Sequence, residues 1–522
     1  MRLSVLLQSV LPSRVVGPAG GNGGVVSDPE ITSVHYRSDE VLPGGLFVAL
    51  RGTVNDGHAF IEDALERGAV AVVVDRPVSL PVIAAQVADT RHALAHIAAR
   101  LYGRPARRLV MTGVTGTNGK TTTVALIEAI LAEAGIKTGV IGTENYRYLG
   151  KIFKNPLTTP ESADLHRILR EMVDAGVTHV VMEVSSHALD QQRVTGICFD
   201  VGVFTNLTRD HLDYHGDMET YGACKERLFT DYMGLDPGKE TGTAVINAND
   251  RFGADLLKRL GRQRCIGVGP ATVAIHAADL LATAEGLAGR IITSGGTLTL
   301  ASPLVGHYNL ENILCAVGVG QALDIPVAAM ENAINRFTGV PGRLERVPNR
   351  MERFVFVDYA HTPDALENVL RTLRSVTHGR LICVFGCGGD RDRTKRPIMG
   401  RIAATLADIV FVTSDNPRSE DPDAIIREIE EGIRAGSGHE ENGMSVSEAQ
   451  TRADYVIESD RRRAIQAAVL TSGRKDTILI AGKGSETYQI LRDRTIDFDD
   501  RVEAGKALRE IKNDTPGAMC AI

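Results

Sequence analysis

The sequence predicts an α/β chain built on parallel sheets, and three observations carry that prediction. A glycine-rich loop, Gly113-Val-Thr-Gly-Thr-Asn-Gly-Lys120-Thr121-Thr-Thr123, joins a hydrophobic run, Leu109-Val-Met111, to a helical pattern, Val124–Leu131. Continuous apolar runs that end in polar residues recur along the chain, which is how buried parallel strands read. At 522 residues the chain is too long for a single hydrophobic core, so it must divide. Three domains are expected: an N-terminal α/β domain over 1–107, a central parallel-sheet domain with the glycine loop over 108–344, and a C-terminal Rossmann-like domain over 345–522.

The first block opens with Met1–Leu11, where Leu3, Leu6, Leu7 and Val10 share one helical face. Gln8 and Ser9 interrupt the apolar run that a secretory signal needs, and no small-residue cleavage site is evident, so an amphipathic helix is expected. Strands are expected at Gly45–Leu50 and Ala69–Asp75, around a helix from Phe60 to Arg67. The central block continues past the loop with strands at Val177–Glu183, Phe199–Phe204 and Thr243–Asn247. Gly339-Val-Pro-Gly-Arg343 is a breaker cluster that ends it. The third block has strands at Phe354–Val357, Leu381–Phe385, Ile409–Val412 and Thr477–Ile480, with helices between and a frayed tail after Asn513.

Composition narrows the function. The net charge is −7, which gives no basic footprint for nucleic acid. No apolar run approaches the ~18–20 residues of a membrane span, so no insertion is expected. The seven cysteines (Cys198, Cys224, Cys265, Cys315, Cys383, Cys387 and Cys520) are odd in number and scattered. They read as reduced thiols of a cytoplasmic protein rather than a disulfide framework or zinc site.

The glycine loop is where chemistry first becomes legible. Glycines let the backbone curl so that several N–H groups face one phosphate, Lys120 adds a point charge, and the Thr121 hydroxyl can hold Mg²⁺. The spacing departs from GxxxxGK[ST]: Val114 stands where the first glycine should be, and Gly113 comes one place early. Lysine, threonine, strand and helix still agree on a nucleoside triphosphate. Downstream, Glu183-Val-Ser-Ser-His187 ends one expected strand, and Asp210-His211-Leu-Asp213 follows the next. A carboxylate and a histidine at neighbouring strand ends can hold Mg²⁺, although each alone reads equally well as a helix cap. Lys225, on a helix expected from Tyr221, reads by itself as a surface residue.

In the third block, each strand is followed by a charged or glycine-rich loop. These are Asp358-Tyr-Ala-His361, Gly386-Cys-Gly-Gly-Asp390-Arg391-Asp392, Ser414-Asp415-Asn416-Pro417-Arg418 and Gly482-Lys483-Gly484-Ser485-Glu486. Ligands bind beyond the carboxyl ends of open parallel sheets. Mixed charge from Arg391, Arg418, Asp415 and Glu486 suits a zwitterion such as an amino acid.

Together these pieces resemble the Mur ligase family over nearly the whole chain. The resemblance is carried by Gly116-Thr-Asn-Gly-Lys-Thr-Thr122, Glu183–His187, Asn206–Gly216, Lys225, His307-Tyr-Asn309-Leu-Glu-Asn312 and Pro341-Gly-Arg343. Leu42–Ala49 and Asp56–Phe60 match the first-domain pattern, and Thr158-Thr159-Pro160 with Ser185…Gln191-Gln-Arg193 match the substrate-contacting run. The resemblance implies an ATP-dependent amide ligase that forms an acyl phosphate on UDP-N-acetylmuramoyl-L-alanyl-D-glutamate and couples it to meso-2,6-diaminopimelate, in the cytoplasmic synthesis of peptidoglycan precursors. It implies that Gly116, Thr117, Asn118, Gly119, Lys120, Thr121, Thr122, Asn309, Arg343 and Asp358 bind ATP. Ser38, Thr158, Thr159, Ser185, Gln191 and Arg193 would bind the UDP substrate. Two Mg²⁺ ions would be held by Thr121, Glu183, His211 and a carbamylated Lys225, with Lys120, Lys225, Glu183 and His211 as the catalytic set.

The tetrad Asp415-Asn416-Pro417-Arg418 resembles the version that takes meso-diaminopimelate, because lysine-adding members lack the arginine. Arg391 and Arg418 would grip the far carboxylate, and Gly482 and Glu486 the far ammonium. The chain departs from the family at Arg37-Ser38-Asp39, where Asp-Ser-Arg is usual, so only Ser38 carries over. Leu157 replaces a common Asn, and His307 a usual phenylalanine. A monomer is expected. The competing readings are a lysine-adding ligase, a folylpolyglutamate-synthetase-like ligase that shares Gly-Thr-Asn-Gly-Lys, and a P-loop switch that hydrolyses nucleotide without an amino acid.

Overall fold

Buried sheets account for most of the chain's apolar runs, and side-chain N-caps such as Asp89, Asp217 and Asp460 mark where several of the helices begin. The computed structural model describes residues 1–17, 28–52, 55–234, 242–261, 264–349, 351–435 and 453–511; the tail after Asn513, with Cys520, lies outside them. The chain forms two units. One holds Met1–Ala278, Ile291–Leu298 and Glu311–Ile334; the other holds Asp279–Arg290, Thr299–Leu310 and the chain from Asn335 onward.

The first unit begins with a five-stranded sheet in the order Arg14–Val16, Ile83–Gln86, Ala69–Val74, Gly45–Val48, Ser33–His35. Its first pairing is antiparallel and the rest are parallel. The N-terminal helix is shorter than expected, Leu3–Leu7, but it buries Leu3, Leu6 and Leu7 as its pattern requires. Leu11 has φ 45° and is exposed, so the helix does not reach it. The helix expected from Phe60 becomes a 3-10 turn, Gly57–Phe60, capped by Asp56, and then Ile61–Glu66.

Eight consecutive strands of an eleven-stranded sheet lie in this unit, in the order Cys265–Gly269, Thr243–Asn247, Val201–Phe204, Val110–Thr115, His179–Glu183, Thr138–Ile141, Tyr146–Tyr148, Lys151–Phe153. All pairings are parallel except the last two. Two sequence expectations change here. Gly113 belongs to the strand rather than the loop, opposite Met182 and Gly202, and a Cβ on it would come within 2.8 Å of the Phe199 ring. The strands that lead to Glu183 and His211 are not neighbours, because the phosphate-loop strand Val110–Thr115 lies between them. Strand order is a tertiary property that runs of apolar residues do not encode.

The second unit carries a sheet in the order Glu345–Arg346, Phe354–Asp358, Thr477–Ala481, Leu381–Phe385, Ile409–Val412, Asp454–Ile457, parallel apart from the first pair. Side chains alternate between two cores. Phe354, Phe356, Leu381 and Cys383 pack with the helices Pro363–Val376, Lys395–Leu406 and Pro422–Ala435. Val355, Val357, Ile382 and Val384 pack with Arg461–Thr471 and Asp500–Glu510. Covering both faces is what makes each strand continuously apolar; each fully buried Val, Leu or Ile contributes about 1.5–3 kcal/mol.

Candidate active site

The phosphate loop turns where only glycine fits. Gly116 has φ 147° and Gly119 has φ 84°. A Cβ at Gly116 would stand 1.9 Å from the Thr205 hydroxyl oxygen, and one at Gly119 2.2 Å from Asn312 Oδ1. Gly119 is the N-cap of the helix Lys120–Glu133, and no side chain caps that end. Helix N-termini present backbone N–H groups and favour anions. The loop is laced to the segment after Val201–Phe204. Thr205 Oγ1 donates to the Asn118 carbonyl at 2.7 Å, Asn118 N–H donates to Asn206 Oδ1 at 2.9 Å, and Thr208 N–H donates to Thr117 Oγ1 at 3.0 Å.

Two lysines converge on this loop. Lys120 Nζ donates to the carbonyls of Gly116 and Thr117 at 3.0 and 2.8 Å. Lys225 Nζ donates to the same Gly116 carbonyl at 2.8 Å. The surface position that the residue alone suggested for Lys225 is wrong: it is 1% exposed. The helix begins at Met218, three residues before Tyr221, capped by Asp217. That register turns Lys225 inward, with Nζ 4.3 Å over the Tyr221 ring. Burial, then the charge of Lys120, holds its pKa well below the ordinary lysine value. Desolvation penalises the charged form, and a like charge adds to the penalty.

Glu183 is buried and heavily hydrogen-bonded. Its Oε1 accepts from Thr121 Oγ1 at 3.1 Å and from Thr143 N–H at 2.9 Å; its Oε2 accepts from the Thr143 hydroxyl at 3.1 Å. His211 is half exposed, with φ 53°, and its ring lies edge-on to His187 and Tyr221 at 4.9 and 6.2 Å. Thr121 and Glu183 therefore meet directly, whereas His211 stands with the aromatic group beside Lys225. His187 is pulled down to about 4 by burial and by the neighbouring His211 and His215, which favours a neutral ring at pH 7. Among the described residues, no three His, Cys, Asp or Glu side chains gather as a metal cage. The Thr121 hydroxyl and Glu183 carboxylate are nonetheless a hard-oxygen pair of the kind Mg²⁺ takes, one carboxylate with the rest of its shell from water and phosphate.

Thr158, Thr159, Ser185, Gln191 and Arg193 form one connected network. Thr159 Oγ1 donates to the Glu183 carbonyl at 2.9 Å and accepts from Ser185 N–H at 3.1 Å. Thr158 Oγ1 lies 3.1 Å from the Thr143 hydroxyl that bonds Glu183. Arg193 donates to the Thr159 carbonyl at 3.0 Å and to Gln191 Oε1 at 2.6 Å. Ser38 is not part of it; its hydroxyl pairs with Asp63. A cleft of about 470 Å³ lies nearby in the same unit, lined by Tyr36, Arg37, Tyr146, Lys154, Leu157 and Arg167 among others.

In the second unit, the tetrad follows the strand Ile409–Val412, and Gly482 and Glu486 follow Thr477–Ala481, with Leu381–Phe385 between the two strands. Asp415 and Asn416 are buried, and Asn416 Nδ2 donates to Glu486 Oε2 at 2.9 Å. Arg418 has φ 52° and donates to the Gly389 carbonyl at 2.8 Å. Gly388 brings Arg391 and Arg418 near each other: its ideal Cβ would lie 2.9 Å from Arg418 Nη1 and 3.9 Å from Arg391 Cγ. Pro417 accepts Glu420 N–H at its carbonyl. Gly482 has φ 117°, and a Cβ there would come within 2.5 Å of Asp415 Oδ2. Asp358 accepts from the N–H groups of Leu344 and Ala360, and burial raises its pKa against the pull of Arg343. Arg343 lies over Tyr359, and Asn309 donates to the Val305 carbonyl.

Sequence reasoning left two residues unassigned that the structure places centrally, Tyr221 and Lys483. Tyr221 links the Thr117 hydroxyl, 3.2 Å away, to the Lys225 amine. The one available signal was their i, i+4 spacing.

A glycine loop closing on two lysines and a threonine–carboxylate pair, at the end of a parallel strand, defines a nucleotide-dependent α/β enzyme. Comparison with known proteins makes the class specific. The Mur ligase middle domain matches residues 114–320, the Mur ligase glutamate ligase domain matches 342–484, and the Mur ligase family catalytic domain matches 30–108. A Geobacter metallireducens protein named UDP-N-acetylmuramoyl-L-alanyl-D-glutamate--2,6-diaminopimelate ligase is 46% identical over 508 residues, covering 97% of this chain and 99% of the relative. A Synechococcus elongatus protein of the same name is 45% identical over 523 residues, covering 98% and 99%. A solved structure of a ligase with that name aligns with TM-score 0.66 at 30% identity, over 94% of this chain and 97% of that one. The chain belongs to the Mur ligase family of ATP-dependent ligases.

Proposed function

We propose that this ligase joins meso-2,6-diaminopimelate to UDP-N-acetylmuramoyl-L-alanyl-D-glutamate, with ATP as the energy source, in cytoplasmic peptidoglycan precursor synthesis. The observation that carries the reading is the pairing of two sites in one chain. One is a phosphate loop with Lys120 and Lys225 on a single carbonyl; the other is the Asp415–Arg418 tetrad beside Glu486. The division at 1–107, 108–344 and 345–522 assigns the UDP substrate, ATP and the amino acid to successive domains.

The chemistry follows from leaving groups. A carboxylate resists amines until one oxygen is made a leaving group. The terminal glutamyl carboxylate attacks the γ-phosphorus of ATP, ADP departs, and an acyl phosphate forms. The free amine of the diamino acid then attacks the acyl carbon, and phosphate leaves with the C–O bond electrons. Loop N–H groups and Lys120 stabilise charge on the transferring phosphoryl group. Mg²⁺, when bound, supplies further charge neutralisation there. Thr121, Glu183, His211 and Lys225 would hold it, the last as a carbamate; its burial beside the loop keeps such a group out of bulk water. Asn309, Arg343 and Asp358 contact ATP. The aromatic and basic lining of the cleft by Tyr36, Arg37, Tyr146, Lys154 and Arg167 suits the uridine diphosphate end, and the Thr158–Arg193 network the peptide end. Arg391 and Arg418 take the far carboxylate of the amino acid, with Asp415, Gly482 and Glu486 near its ammonium.

The test is phosphate release from ATP with the nucleotide dipeptide, with and without diaminopimelate. Release that needs both substrates is expected. Hydrolysis indifferent to the amino acid would favour a switch and overturn the ligase reading.

A further inference from the structure

Lys483 follows the strand Thr477–Ala481 and is fully buried, with a side-chain exposure of 0%. A buried ammonium is costly unless hydrogen-bonded and paired, so its partners reveal its purpose. Its Nζ donates to Asn416 Oδ1 at 3.1 Å and to Glu486 Oε2 at 2.8 Å. Asn416 Nδ2 donates to the same Glu486 oxygen at 2.9 Å. These three contacts close a triangle. The Ile490 N–H adds a second donor to Asn416 Oδ1 at 2.9 Å, so the amide has one consistent orientation: oxygen toward the donors, nitrogen toward the carboxylate. The lysine stem starts directly behind the tetrad, because Gly482 lets the backbone approach Asp415 closely.

We propose that Lys483 is a positioning residue for the incoming amino acid, acting through Asn416 and Glu486. This rests on the amino-acid site proposed above and adds a residue that its recognition contacts do not include. Two donors fix one Glu486 oxygen, which sets the direction of the other. The Lys483 charge also offsets the Glu486 carboxylate, so the site keeps balanced charge for a zwitterion. Without the ammonium, Glu486 loses its shortest bond here and Asn416 one of its two oxygen contacts, and both are free to turn away from the ligand. Such losses act on binding of that ligand alone.

The experiment is steady-state kinetics on full-length Lys483→Met, varying diaminopimelate, ATP and nucleotide dipeptide in turn, with thermal melting alongside. KM for diaminopimelate should rise at least about tenfold while KM for ATP and for the dipeptide stays within about twofold. Lys483→Gln, which retains a donor, should recover part of the loss. In a Glu486→Gln background, Lys483→Met should add less than about a threefold further loss, because both changes remove the same support. An unchanged diaminopimelate KM, a comparable rise in all three KM values, or fully additive losses would overturn the proposal. A variant that no longer binds ATP would also overturn it, by showing a general structural role. If the parent enzyme uses a different amino acid, the substrate reading falls, and Lys483 is judged by the same KM split on that amino acid.

Discussion

The phosphate-loop end of one sheet and the loop cluster of the other hold their cations differently. Around the loop, Lys120 and Lys225 both donate to the Gly116 carbonyl, and burial, then the charge of Lys120, depresses the pKa of Lys225. In the second unit, buried cations sit on carboxylates. Lys483 bonds Glu486, Arg396 bonds Glu420 and Glu428, and Arg461 bonds Asp500. Two lysine nitrogens meeting on one carbonyl at a helix N-terminus favour an anion nearby, and the depressed pKa of Lys225 favours the neutral amine that a carbamate needs. Cations already matched by carboxylates favour a ligand that brings both signs. Similar parallel sheets thus present opposite electrostatic offers, and the difference lies in a few side chains at the strand ends.

The largest expected effect comes from breaking the first arrangement. Lys120→Ala should lower ligation by at least about a thousandfold while leaving the fold intact, because the lysine serves phosphate charge. Thermal melting and phosphate release check both halves, and activity within tenfold of the parent would remove its assigned role. Lys225→Ala should be nearly as inactive, and excess bicarbonate should not restore it, because alanine has no amine to carbamylate. Intact mass of the active parent tests the modification; an unmodified lysine in fully active enzyme would exclude it.

A smaller, selective effect is expected in the second arrangement. Arg418→Ala should lower kcat/KM for diaminopimelate by at least about a hundredfold and change the poor rate with L-lysine much less, because lysine lacks the far carboxylate. Equal losses on both amino acids would mean that Arg418 supports the loop through Gly389 rather than selecting the substrate.

The smallest effect sharpens the contrast through pH. Hydrogen bonds from Arg396, then from Asp390 N–H, hold Glu420 down at about 2, against an ordinary 4.5. Its contribution is present above 4.5 and is lost as pH falls through about 2, since the unfolded chain takes up the proton first. Melting between those values should show an acid-sensitive transition that Glu420→Gln flattens. An identical pH profile in the variant would show that this pair is not the acid-labile contact.

Much of the fold was legible because burial on two faces leaves a local mark. Thr243–Asn247, Leu381–Phe385 and Ile409–Val412 are found as read, and Lys120–Glu133 follows its glycine loop. The short strands Tyr146–Tyr148 and Lys151–Phe153 escaped notice because three residues carry too little periodicity, and the longer Ile275–Thr283, Gly286–Thr293 and Gly296–Ser302 were not read as strands either.

By itself, the sequence determined most of the central buried strands, the glycine loop, the charged strand-end loops and the family resemblance, since each rests on neighbours along the chain. Only the tertiary structure decided that Val110–Thr115 separates the strands leading to Glu183 and His211, and that Thr121 meets Glu183. It alone buried Lys225 against Tyr221 and closed Lys483, Asn416 and Glu486 into a triangle. A lysine is helical or strand-adjacent by local rules, but whether it meets water or a carboxylate depends on strand order and helix register, which residues distant in sequence settle together.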